Sequence, residues 1–142
     1  MADLTAVPAQ VNLVDPEFAE VYSFIASVAI NAGQPVYMLA ASGKLALADA
    51  NGTAPAPQFK GLALQTVGAG QAVDVLKRGR VPASSLGAGA LGYGAKVYVS
   101  DTVGVLGDSA GTTTVTVGQV VAMSDSDATK CVYVEANWAA GY

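Results

Sequence analysis

The chain of 142 residues contains no histidine. That absence removes the commonest general base, any Ser-His-Asp or Cys-His arrangement, and most zinc and haem sites. Cysteine is almost absent as well. Cys131 stands alone, so no intrachain disulfide can form. It lies in Lys130-Cys131-Val132-Tyr133-Val134, which alternates like a strand, and it reads as a buried, inert thiol. Charge is scarce: 13% of residues are charged against 52% hydrophobic. A surface so poor in charge is either covered by a partner or built of small Ala, Gly, Ser and Thr side chains. With seven cations and a net charge of −4 there is no basic footprint for nucleic acid. Lys77-Arg78-Gly79-Arg80, the one basic cluster, reads as a solvated loop or strand edge. No apolar run approaches the roughly 18 residues that span a bilayer. Met1-Ala2-Asp3-Leu4 lacks the positive region of a secretion signal. The expectation is a protein made and assembled in a cytoplasm, with no membrane partner, no metal and no cofactor.

What the chain does have is small apolar residues, 27 Ala, 20 Val and 16 Gly, arranged in a pattern that occurs twice. Gly33-Gln34-Pro35-Val36-Tyr37-Met38 returns 61 residues later as Gly94-Ala95-Lys96-Val97-Tyr98-Val99, and Gly43 returns as Gly104. Gly61-Leu62-Ala63-Leu64 is echoed 57 residues on by Gly118-Gln119-Val120-Val121. Either a β-meander is duplicated, each copy burying its apolar face against the other, or two Gly/Val-rich β segments coincide by chance. Short apolar runs separated by Ser42-Gly43, Asn51-Gly52, Gly68-Ala69-Gly70, Gly111 and Asp125-Ser126-Asp127 predict strands over 35–40, 44–48, 60–67, 72–77, 95–100, 103–106, 112–117, 118–123 and 130–135. Residues 21–30 carry both a helical and an alternating pattern. Their β-branched and aromatic content favours a strand. The fold class is all-β: a small β-barrel or sandwich of short antiparallel strands.

Residues 1–20 differ from the rest. They contain no glycine, but hold Pro8 and Pro16. Val7, Val11, Leu13 and Val14 punctuate an extended stretch. Three readings stand: an arm that adds a strand to a neighbour's sheet edge, a terminal strand of the chain's own domain, or disorder. The domain expectation is an N-terminal arm over 1–20 and one β domain over 21–142, with repeat-like halves 33–81 and 94–136. Near the other end, Trp138 and Tyr142 suit either a core plug or a subunit contact.

Other strings carry less chemistry than their form suggests. Gly87-Ala88-Gly89-Ala90-Leu91-Gly92 matches G-x-G-x-x-G, but a Val-Tyr strand follows it where phosphate binding needs a helix N-terminus. Ser42-Gly43-Lys44 reads as a hairpin turn, and Asp125-Ser126-Asp127 as a turn held by Asx hydrogen bonds. Neither half presents a catalytic constellation, and no enzyme activity is expected.

Gly94-Ala95-Lys96-Val97-Tyr98-Val99-Ser100-Asp101, a Gly turn, a strand opening Gly118-Gln119-Val120-Val121-Ala122, and the closing Cys131-Val132-Tyr133-Val134-Glu135 resemble the small capsid decoration, or cement, proteins of tailed bacteriophages. The stretch from Gly70 to Pro82 resembles their central strand. The resemblance covers about residues 30–136. It implies a virion structural protein on the outer surface of an expanded capsid, clamping neighbouring capsomers, with the major capsid protein as partner. It also implies a homo-oligomer, often a trimer. The interface expected from these readings comprises Val7, Val11, Leu13, Val14, Trp138 and Tyr142. The competing class is another phage surface β-module: a head fibre, a tail component or a carbohydrate-binding adhesin.

Overall fold

The computed structural model describes residues 3–14, 16–52, 56–123 and 126–138, with the side chains of 123–129 excepted. The strands are β1 (Glu20–Ile25), β2 (Pro35–Met38), β3 (Leu45–Leu47), β4 (Gly61–Ala63), β5 (Ala72–Pro82), β6 (Lys96–Val99), β7 (Leu106–Gly107), β8 (Thr116–Met123) and β9 (Ser126–Glu135). Three short 3-10 turns join them, at Pro8–Gln10, Pro16–Phe18 and Ala83–Leu86. All named strand pairings are antiparallel, in the order β3-β2-β4-β5-β9-β8-β6-β7, and β1 joins the side by pairing with β5. The sheet curls into a half-barrel. This is the expected all-β class, with antiparallel strands in a partly closed barrel.

That order reads the same from both ends. β3-β2-β4-β5 is one copy of a unit and β7-β6-β8-β9 is the other, joined where β5 meets β9. The registers agree residue for residue. Tyr37 faces Ala46 as Tyr98 faces Gly107, and Val36 faces Gly61 as Val97 faces Gly118. Ala63 faces Val75 as Val120 faces Val132. Turn hydrogen bonds repeat too: Gly33 N–H donates to Ala63 O as Gly94 N–H donates to Val120 O, at 2.8 and 2.7 Å. Gly43 and Gly104 both sit at φ 72°, the left-handed region that a residue without Cβ enters cheaply. Arg78 and Glu135 are counterparts in the two copies and also face each other across β5 and β9. A local twofold axis therefore passes between them.

Each copy buries its own set of apolar side chains. Val36, Leu45, Ala63 and Val75 are buried in the first, and Val97, Leu106, Val120 and Val132 in the second. The second set belongs to the larger core, which also takes Val81, Leu86, Val115, Val117 and Val134. Cys131 is fully buried among these strands.

Several expected boundaries move. The stretches 112–117 and 118–123 are not two strands. Only 116–123 is extended, and it runs as the single strand β8. β5 is longer than 72–77 because β1 and β9 pair along successive parts of it. β9 starts at Ser126, inside the stretch read as a turn. Residues 20–25 are a strand, so the alternating pattern prevails over the helical one. The Gly87–Gly92 string follows the third 3-10 turn, with Gly87 at φ 73° as its cap, and leads to β6 without a helix.

The main correction concerns residues 1–20. Over the described residues this segment lies on its own domain and is not an arm held away from the core. Leu4 N–H donates to Leu106 O, Val7 N–H to Ser85 O and Val14 N–H to Arg80 O, all at 2.8–2.9 Å. Val11 is buried in the larger core, and Leu4, Leu13 and Ala19 pack against it. Asp3 accepts hydrogen bonds from the hydroxyls of Ser100 and Thr102. The physical reason lies in those same valines and leucines. Extended residues satisfy their backbone groups on any available carbonyls, and here these belong to the chain's own third 3-10 turn, β5 and β7.

Candidate binding surface

β1 is the element whose surface fits least well with a free monomer. Val21, Tyr22 and Ile25 are exposed, with Phe18 before them and Val28 after them. Phe18 is 75% exposed. Val21 and Tyr22 point to opposite faces of the strand, so apolar surface is presented on both. One edge of β1 is occupied by β5 through six residue pairs, Glu20↔Arg78 to Ile25↔Ala72. Beyond the strand, Ala26 bridges Leu45, and Ser27 donates through both its amide and its hydroxyl to Leu45 O. Among the described residues no other strand pairs with β1 itself. A flat apolar edge strand normally carries lysine, proline or a bulge against chance pairing. The run Val21-Tyr22-Ser23-Phe24-Ile25 carries no charge, and the one register shift falls before it.

Trp138 lies against this strand. Its ring centroid is 5.0 Å from that of Tyr22 and 6.2 Å from that of Phe24. The indole N–H donates to Lys60 O at 2.7 Å, which fixes the ring plane. The ammonium groups of Lys77 and Lys60 stand 5.1 and 5.5 Å from the ring centroid, within cation–π range. Beside it, Glu20 takes Lys77 at 3.5 Å and Arg78 at 3.3 Å, and Arg78 Nε lies 3.2 Å from Glu135 Oε2. That last contact is an ion pair without hydrogen-bond alignment. Exposed pairs of this kind each stabilise by about 0–1 kcal/mol, so their effect here is to hold side chains in place. Lys77, Arg78, Glu135, Ala136, Asn137 and Trp138 line an open cleft of about 360 Å³.

The expected interface residues thus separate. Val11 is in the core, Leu13 and Val14 are half-buried on their own domain, and Val7 is exposed. Trp138 joins an exposed aromatic patch. Tyr142 lies outside the described residues. The structure therefore does not bring Val7, Val11, Leu13 and Val14 together with Trp138 as one outward face. Sequence reading placed a strand over residues 21–30 but did not single it out as a surface, and a strand apolar on both faces ordinarily signals burial on both. The uncharged run from Val21 to Ile25 was the available signal.

Chemistry elsewhere is sparse. Among the described residues no three His, Cys, Asp or Glu side chains gather where they could hold a metal. The Asp3 carboxyl is held below its ordinary 3.8 by the Ser100 hydroxyl and then by that of Thr102. Burial raises the Tyr133 hydroxyl pKa, and the neighbouring Glu135 charge adds to the rise. These shifts follow from local hydrogen bonding and desolvation. Comparison with known proteins gives no family model that matches the chain and no curated protein similar to it.

Proposed function

We propose that this chain is a structural binding protein of a tailed-phage virion. It seats on the outer surface of the expanded capsid and clamps neighbouring capsomers. Its partner is the major capsid protein, and neither nucleic acid, membrane nor cofactor takes part. The observation that carries the reading is β1: a strand uncharged from Val21 to Ile25, apolar on both faces, with one edge open among the described residues and Trp138 braced beside it. Such a strand suits an extended segment of a shell subunit, which would add main-chain hydrogen bonds along the edge and set side chains against Tyr22, Phe24 and Trp138. The resemblance of residues 30–136 to decoration proteins and the scarcity of surface charge support the same reading. Many weak clamps acting together stabilise a shell without any one being strong. A homotrimer, the favoured oligomer, would multiply each contact through effective concentration.

The test is cosedimentation with immature and with expanded phage shells. The expected result is saturable binding to expanded shells only. A Tyr22→Ser, Ile25→Ser variant, polar on both faces of β1, should remain folded and lose that binding. Failure of the parent protein to sediment with either form overturns the capsid assignment. Undiminished binding by the variant overturns the role of β1.

A further inference from the structure

The two copies of the unit differ sharply at one set of equivalent positions. In the first copy, Pro35, Leu62 and Leu76 stand side by side across β2, β4 and β5, and all three are buried. Their counterparts are Lys96, Gln119 and Tyr133, side by side across β6, β8 and β9. Lys96 and Gln119 are exposed and Tyr133 is half-buried. The same backbone surface is thus covered apolar core in one copy and an open polar trough in the other. The trough has a volume of about 300 Å³, and Thr116, Glu135 and Asn137 complete its lining. Gly118 forms part of its floor. A Cβ there would run into Tyr133 O, so the floor cannot be filled by a side chain at that position.

We propose that this trough binds a neutral saccharide, a sugar ring and its linked neighbour. At the strand spacing of about 4.8 Å, three strands place Lys96 and Tyr133 roughly 10 Å apart. The Tyr133 ring offers an apolar face on which a pyranose can lie. The side chains of Lys96, Thr116 and Gln119 make no hydrogen bond or ion pair among the described residues and can turn their polar groups to hydroxyl groups. Glu135, on the same lining, supplies an acceptor, anchored by the Tyr133 hydroxyl at 3.4 Å and by Arg78. The two opposite charges favour an uncharged polyhydroxylated ligand over an anion. The polar rim disfavours an apolar one. This inference does not rest on the capsid reading, because the trough is on a sheet face and β1 offers an edge.

The experiment is a heteronuclear NMR titration of the full chain with maltotriose, chitotriose and a β-galactobiose, with sialyllactose as the charged comparison. At least one neutral sugar should give saturable shifts centred on the amides of Gly118, Gln119 and Tyr133. Tyr133→Phe should keep binding, because the ring remains. Gln119→Ala, at an exposed position, should weaken it by about tenfold, the equivalent of about 1.4 kcal/mol. Lys96→Ala provides a second exposed probe should a Tyr133 variant fail to fold. The inference is overturned if no neutral sugar gives saturable shifts, if the shifts map elsewhere, or if sialyllactose alone binds. Shell cosedimentation is read separately, so either proposal can fail without the other.

Discussion

Gly118 and Gly43 are both repeat glycines, yet they are needed for different reasons. A Cβ on Gly118 would strike the Tyr133 carbonyl on β9, which is backbone and cannot swing aside. Gly43 has open space around it and only its φ of 72° to accommodate. Gly118→Ala should therefore cost more than about 3 kcal/mol, in the range reserved for a named steric cause. Gly43→Ala should cost about 1–2 kcal/mol, the left-handed penalty alone. Urea unfolding of the two variants measures the difference. Asp3 gives a second residue-scale expectation. Its folded pKa lies below its unfolded value, so its bonds to Ser100 and Thr102 help stability above the unfolded pKa. That help is lost as pH falls through the folded value. Protection of the Leu4 amide, which donates to Leu106 O, against its intrinsic exchange rate should fall below pH 3.8 and do so less in Asp3→Asn, where the titration is gone.

At the scale of elements, the N-terminal segment and β1 exchange the roles that sequence reading assigns them. Deleting residues 2–14 should lower the thermal midpoint markedly. It removes Val11 from the core, three backbone hydrogen bonds and the cover over Leu86. Burial of a side chain of valine size contributes roughly 1.5–3 kcal/mol by itself. Differential scanning calorimetry checks this, and an unchanged midpoint would restore the free-arm reading. The strands of the repeat were legible because Gly-x-x-Val-Tyr and Gly-led Val runs carry both the turn and the alternation. The strand ends were not, because pairing partners set them: β5 reaches Pro82 only because β9 is there to meet it. The docking of 3–19 was equally illegible. Nothing in Val7, Val11 or Leu13 says whose carbonyls and whose apolar groove will receive them. The site suffered most, since exposure of Val21 to Ile25 depends on what fails to cover them.

For the whole molecule, the duplicated sheet order joins two four-stranded units into one sheet of antiparallel strands. Each copy contributes four strands; the larger core draws on both copies and the N-terminal segment, and a second, smaller core lies between the first copy and the residues that follow β1. The exposed apolar edge then argues against a solitary monomer. Light scattering at micromolar concentration should show an oligomer, with a trimer expected, and the Tyr22→Ser, Ile25→Ser variant separates capsid docking from self-association. A variant that stays oligomeric but no longer sediments with shells assigns β1 to the shell. A variant that becomes monomeric assigns it to the subunit contact.

The axis between Arg78 and Glu135 has a consequence for what happens when the chain is cut. Between the end of the third 3-10 turn and β6, only the connector around Gly87–Ala95 ties one copy to the other covalently. Tyr93 there is 51% exposed. Five residue pairs of β5 with β9 span the seam on the folded side. A protease nick after Tyr93 should therefore leave the two pieces clasped like a dimer of unequal halves. They should elute together in native gel filtration, part only in denaturant, and find each other again on dilution. The single polypeptide would then behave as two partners whose tether sets their local concentration and adds little to their fit.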